Sequence, residues 1–197
     1  EMAGGEFCGN AARSVAILIS EIQKNPKVSF TMSGFNGEVS GEVRKKDHNK
    51  YYVKCTFPNL STDLENITLS NNQAATIVDL GGIVHIIMEK PFLNNADTYR
   101  SIHRKITQEL NLEKRDAVGI IWVSQVNDVI KMHPVVWVKD VDTFFYEQSC
   151  GSGTIAVSKV TGVASIIQPT GQSIKADVND ERVILESDME VVHSATD

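Results

Sequence analysis

Tyr146-Glu147-Gln148-Ser149-Cys150-Gly151-Ser152-Gly153-Thr154-Ile155-Ala156-Val157 joins a cysteine to Gly-Ser-Gly and then to an apolar run of helical character. Glycine lets the backbone turn tightly and lets a ligand approach it closely. The residues that follow begin a helix whose first N–H groups have no partner inside the helix. Such an end is a ready site for an anion, and a thiol held there is expected to lose its proton more easily than a free one. The same device opens the chain: Glu6-Phe7-Cys8-Gly9-Asn10-Ala11-Ala12-Arg13-Ser14-Val15-Ala16 again reads cysteine, glycine, polar residue, helix. Two cysteines on two helix N-termini are the feature around which the remaining chain arranges itself.

Residues 9–22 form the first helix. Ala11, Ala12, Val15, Ala16, Ile17, Leu18, Ile19 and Ile22 cover it nearly all round, the pattern of a buried helix, and Lys24-Asn25-Pro26 stops it. Strands are expected at 28–32, 37–44 and 51–57, separated by Ser33-Gly34-Phe35-Asn36-Gly37 and by a charged turn at 45–50. Residues 61–73 are polar and weakly patterned, and read as a connection between two halves, 1–73 and 74–197. Strands at 76–80 and 84–88 flank Gly81-Gly82. Ile102, Ile106 and Leu110 mark a surface helix at 98–110. Strands at 117–126, 129–138 and 143–146 lead to Cys150, and three more, at 165–168, 173–178 and 182–186, follow its helix.

The order repeats. Each Cys-Gly helix is followed by a strand, a glycine-containing turn and two further strands, with Val28-Ser29-Phe30-Thr31-Met32 matching Ala164-Ser165-Ile166-Ile167-Gln168. The expected fold is α+β: two pseudo-symmetric halves, each a mostly antiparallel sheet wrapped around a central buried helix. Several strands precede Cys150, whereas Cys8 has only seven residues before it. The first half is therefore expected to lack N-terminal strands that the native protein supplies, and the far end, 191–197, reads as short as well.

At 42% hydrophobic and 22% charged, the 197 residues have the composition of a soluble globular protein. A formal charge of −6 argues against nucleic acid or an anionic membrane as partner. No apolar run reaches the roughly 18–20 residues that span a bilayer, and the first residues are no signal peptide. Three cysteines make no disulfide framework and fit a reducing cytoplasm, the expected location.

Cysteine is a common small core residue, and Cys55, in Tyr51-Tyr52-Val53-Lys54-Cys55-Thr56-Phe57, reads as one. Cys8 and Cys150 differ because they share a context. Structural zinc wants cysteines a few residues apart, and these two are distant. A thiol hydrolase needs one thiolate and a histidine base, which leaves the second Cys-Gly site unexplained. Acid–base chemistry uses both. Two helix ends neutralise a small carboxylate and stabilise the charge that develops on the adjacent carbon as its proton leaves. One cysteine, as thiolate, removes the α-proton from one face, and the other delivers a proton to the opposite face. The carbon inverts, and neither a metal nor an organic cofactor is needed. The expected activity is that of an isomerase on a small-molecule amino acid, with a homodimer left open.

At these residues the chain resembles the diaminopimelate epimerase family of cofactor-independent amino-acid racemases. The matching motifs are Cys8-Gly9-Asn10 and Cys150-Gly151-Ser152-Gly153, and Gln168-Pro169-Thr170-Gly171 resembles the family's turn beyond the second helix. The resemblance implies that Cys8 and Cys150 are the catalytic pair and that Gly9, Asn10, Gly151 and Ser152 bind the substrate carboxylate. It also implies that Glu147 takes the ammonium and that His85, in Gly82-Ile83-Val84-His85, tunes a catalytic cysteine. The family's arginine for a distal carboxylate is missing from Phe144-Phe145-Tyr146-Glu147-Gln148-Ser149. Aromatic residues stand there instead, so a neutral or aromatic substrate side chain is expected. The short pattern is most similar to that of histidine racemases, which makes histidine the expected substrate. The alternatives are a diaminopimelate or lanthionine epimerase and a non-enzymatic thiol redox sensor.

Overall fold

Alternation of apolar and polar residues shapes the strands that surround the two helices. Every second residue is buried along β2 (Val39–Lys45) as far as Val43 and along β3 (Lys50–Pro58) from Tyr51 to Phe57, so each strand offers one apolar face. The computed structural model describes residue 2 and residues 4–126 and 129–192. Besides β2 and β3, the first part contains α1 (Gly9–Gln23), β1 (Lys27–Phe30), β4 (Asp63–Thr68), β5 (Ala74–Asp79) and β6 (Val84–Glu89). There follow α2 (Ala96–Glu109), β7 (Ala117–Val126), β8 (Val129–Val138) and β9 (Thr143–Tyr146). The last elements are α3 (Gly151–Thr161), β10 (Ser165–Ile167), β11 (Ser173–Val178) and β12 (Arg182–Glu190).

The expected α+β class is borne out. The strands form one sheet in the order β1-β2-β3-β12-β11-β10-β8-β7-β6-β5-β4, with β9 paired to β8 off this path. Its pairs are antiparallel except β6 with β7 and β10 with β8. The two sheets expected from sequence are thus joined along one seam, where β12 runs antiparallel to β3 from Arg182 opposite Pro58 to Glu190 opposite Lys50. Both strands carry an alternating buried face, and Val183 and Leu185 sit opposite Phe57 and Cys55. Pairing satisfies backbone groups at both edges and continues the core across them.

α1 packs on β1, β2 and β3, while α3 packs on β6, β7, β10, β11 and β12. Residues 151–158 of α3 are all buried. α1 buries Gly9, Ala12, Arg13, Ala16, Ile17 and Ser20, but Leu18 is 60% and Ile22 71% exposed. This corrects the expectation of a first helix buried all round: β1–β3 cover one flank only. On the other side of the sheet, α2 lays Tyr99 and Ile106 over a second core with Trp122 and Val135.

Residues 61–73 are more than a connection. Within them β4 pairs with β5 from Asp63 opposite Asp79 to Thr68 opposite Ala74. It lies before the 73/74 boundary expected from sequence, yet it hydrogen-bonds beyond it. Its residues are exposed apart from half-buried Ile67, so an edge strand of this kind leaves no alternating signal. Residues 193–197, part of the expected short far end, lie outside the described residues. Among the described residues, no helix is long and apolar enough to cross a membrane.

Candidate active site

Cys8 and Cys150 are the N-cap residues of α1 and α3, with extended φ/ψ of −132°/104° and −136°/107°. Each sulfur accepts a backbone N–H from three residues on, Ala11 and Gly153, both at 3.4 Å, the role that an oxygen side chain usually plays at this position. The helices meet at their first residues. A Cβ built on Gly9 would lie 3.2 Å from the backbone of Gly151, and one on Gly151 would lie 3.0 Å from that of Gly9. Glycine at both positions leaves room for this approach, and it brings both thiols onto one cavity of about 130 Å³. Gly9, Asn10, Glu147, Gly151 and Ser152 also line that cavity. All the site residues expected from sequence except His85 therefore meet there.

Among the described residues no acceptor meets the N–H groups of Gly9, Gly151 or Ser152. Unpartnered donors at two converging helix N-termini favour an anion. The Asn10 side chain is engaged elsewhere: its amide donates to the Ser149 carbonyl at 2.7 Å and so ties α1 to the residue before Cys150. Gln168, completely buried, accepts the Cys150 N–H at 2.9 Å and donates to Thr154 Oγ1 and the Ile166 carbonyl. The motif at 168–171 thus clamps the second cap.

β9 aims the remaining groups. Phe144 and Tyr146 pack on the α2 side of the sheet, where Tyr146 stacks on Phe92 with ring centroids 4.9 Å apart. Alternation then turns Phe145 to the opposite face, where it lines the cavity and remains half exposed. Of the three aromatic residues that replace the expected arginine loop, only Phe145 reaches the site. Glu6 also lines it, and its carboxylate accepts the Gly4 N–H at 3.0 Å. Glu6 was not singled out in the sequence, although it stands two residues before Cys8 much as Glu147 stands three before Cys150.

Both thiols are held above their ordinary range, contrary to the expectation that the helix ends would lower them. For Cys8 the largest cause is burial, opposed by the N–H groups of Ala11 and Asn10 and reinforced by the Glu147 and Glu6 carboxylates. Cys150 is raised further, again first by burial and then by Glu147, against the hydrogen bonds of Ser152 and Gly153. The helix termini act in the expected direction, but desolvation and two acidic neighbours outweigh them. Glu147 is itself raised, by burial above all. Cys55 lies in the core, where burial pushes its thiol up to about 12.

His85 stands one hydrogen bond behind the site. Its Nε2 lies 3.0 Å from Ser152 Oγ, which lies 3.6 Å from Cys150 Sγ. Burial lowers its pKa to about 3, so the ring is neutral. Its buried Nδ1 has no partner among the described residues. An unpaired lone pair is cheaper to bury than an unpaired N–H, which assigns the hydrogen to Nε2. Ser152 then accepts from His85 and turns its own hydrogen toward Cys150. The ring lies against Gly119, which faces it across β6 and β7, and a Cβ on Gly119 would fall 2.2 Å from Nδ1. Gly119→Ala is expected to displace His85, cost about 1–3 kcal/mol of stability, and lower turnover. Thermal unfolding and α-proton exchange of the variant check both.

The chain resembles a hydroxyproline epimerase from Agrobacterium vitis, solved with bound trans-4-hydroxy-L-proline, with a TM-score of 0.57 and 10% identity over 95% of this chain and 66% of that one. The two share a fold. The chain matches the histidine racemase CntK N-terminal domain over residues 1–191 and belongs to that family. Histidine racemases from two strains of Fusobacterium nucleatum subsp. nucleatum are 31% and 32% identical to it over 195 residues, which cover 93% of this chain and 72% of each relative. The protein is an isomerase, an amino-acid racemase or epimerase, and the resemblance read at the two Cys-Gly motifs is borne out.

Proposed function

We propose that the protein interconverts L- and D-histidine by a two-base mechanism in which Cys8 and Cys150 act on opposite faces of the α-carbon. The observation that carries this is the meeting of two N-capping thiols on one cavity. The substrate carboxylate takes the N–H groups of Gly9, Asn10, Gly151 and Ser152, and the ammonium takes Glu147. One sulfur, as thiolate, removes the α-proton and becomes a thiol. The C–H electron pair moves into the carboxylate, whose growing charge the helix termini stabilise. The second thiol protonates the carbon from the other face and is left as thiolate. No electron is gained or lost, and the sulfurs have exchanged protonation states.

The raised thiols give substrate binding a further role. Glu147 raises both, and an ammonium seated on it offsets that field, easing ionisation when substrate is present. Ser152, oriented by His85, donates to Cys150 and supports its thiolate. In the free enzyme kcat/KM is expected to follow a bell whose maximum lies above neutrality, with limbs belonging to the pair. A pH–rate profile checks this, and a maximum on the acidic side contradicts it.

Histidine is supported by the lining of the cavity as well as by the names of the relatives. Its ionisable side chains are Glu6, Glu147 and the two thiols, with no arginine, lysine or histidine among the described lining residues. A distal carboxylate finds no cation there. An imidazole finds a carboxylate in Glu6 for its N–H and an aromatic face in Phe145. The test is a panel of amino acids in D₂O, with α-proton loss followed by NMR and enantiomers by chiral chromatography. Exchange with L-histidine and appearance of D-histidine are expected. Exchange with diaminopimelate and none with histidine overturns the substrate and keeps the mechanism.

A further inference from the structure

Arg13 lies in α1, one turn beyond the cap, and is 2% exposed. Its Nε donates to the Gly9 carbonyl at 3.2 Å, one terminal nitrogen donates to Ser187 on β12, and the other donates to Asn10 Oδ1. Asn10 in turn donates to the Ser149 carbonyl at 2.7 Å. The guanidinium therefore links the first turn of α1, the seam strand β12 and the peptide that leads into Cys150. Among the described residues no carboxylate pairs with it. A buried cation normally has such a partner. Here its partners are a carbonyl, a hydroxyl and an amide oxygen, all neutral.

We infer that Arg13 is a positioning residue of the active site, whose planar fork sets the two helix N-termini against each other through Asn10 and whose unpaired charge favours anions at the two thiols. This rests on the two-thiol reading above. Three observations converge on it. The fork geometry uses both terminal nitrogens and Nε, which a point charge such as lysine does not reproduce. The contact to Asn10 holds the residue that reaches across to the other half of the site. Burial works against the guanidinium's charge, while the thiols of Cys55, Cys8 and Cys150 act in the direction that favours it, and the guanidinium in turn draws the Cys55 thiol down. Among its described lining residues the cavity holds two carboxylates and no cation, so a cation behind the helix ends is the counterweight to the charge gathered in front of them.

The test compares wild type, R13K and R13Q, each checked for folding by circular dichroism. One readout is kcat and KM for α-proton exchange with L-histidine in D₂O. The other is the pH dependence of iodoacetamide alkylation at Cys8 without substrate, located by mass spectrometry. R13K keeps the charge and loses the fork: kcat is expected to fall at least about tenfold, while the alkylation profile stays in place. R13Q loses the charge and keeps an amide for Asn10: its alkylation profile is expected to move up by about one pH unit, tenfold less thiolate at a given pH. An R13Q profile that overlays wild type overturns the role of the charge, and R13K with wild-type kcat overturns the positioning role. Should R13Q fail to fold, R13K decides by the same criterion. Should wild type exchange no α-proton with any amino acid, the two-thiol reading fails, and the alkylation profiles still decide whether Arg13 acts on Cys8.

Discussion

Replacing either Cys8 or Cys150 by alanine is expected to lower racemisation by about 10³-fold, the scale of a lost general acid or base. Each sulfur is needed in every turnover, as acid in one direction and as base in the other. The two act as a unit, so the double variant is expected to be little worse than either single one. Serine at either place leaves at most a trace, because its hydroxyl is a much weaker acid than a thiol. The fold survives the change. Each sulfur caps its helix through one long contact, and losing a cap costs about 1 kcal/mol, which thermal unfolding resolves from the loss of activity. A single alanine variant that racemises at the wild-type rate removes its cysteine from the mechanism.

The second large effect lies away from the thiols. Gly34→Ala is expected to cost about 2–5 kcal/mol of stability and to lower activity with it. Gly34 has a φ of +70°, where a side chain costs roughly 1–2 kcal/mol. A Cβ there would also sit 2.1 Å from the Phe7 nitrogen and 2.4 Å from the Glu6 carbonyl carbon. Those atoms are backbone, so no rotamer relieves the clash, and overpacking typically adds about 1–3 kcal/mol. Gly82 closes the same contact from the other side, since a Cβ on it would lie 2.7 Å from Gly34 and 2.8 Å from the Phe7 nitrogen. The segment that delivers Glu6 and Cys8 is thus held between two glycine turns, with Phe7 packed edge-on to Phe57 at 5.2 Å. Moving it displaces one thiol and one carboxylate together. Thermal unfolding of Gly34→Ala with a midpoint at the wild-type value contradicts this packing.

What the sequence disclosed follows from where periodic or local signals exist. The strands 117–126, 129–138 and 143–146 coincide with β7, β8 and β9, because apolar runs rich in β-branched and aromatic residues and bounded by turns mark strands locally. The Cys-Gly-polar motif located both caps, since capping is a local property of a few residues. β4 escaped because its residues are exposed and its pairing with β5 depends on the chain beyond it. The sign of the thiol shifts was misjudged for a different reason. A helix terminus is visible in a sequence, but the burial that opposes it arises from residues far apart, Phe7, Ile83 and Val136 among those that line the cavity with the thiols. Glu6 and Arg13 stood in the quoted motif without a role, because it takes the meeting of α1 with α3 to put Glu6 on a cavity with both thiols and the pairing of β3 with β12 to bring Ser187 to Arg13. Phe145 was legible only as one of three aromatic residues, until the packing of Phe144 and Tyr146 fixed which face it takes.

The most direct test of a two-base inversion is the position of solvent deuterium at low conversion. L-histidine is incubated with the intact protein in D₂O, the reaction is stopped after a few per cent conversion, and the enantiomers are separated and analysed by mass. With thiols on opposite faces, the D-histidine formed carries deuterium from the second sulfur, and the remaining L-histidine keeps its own α-proton. D-histidine that retains the substrate's proton means that a single group carries it from face to face, and contradicts the paired action of Cys8 and Cys150.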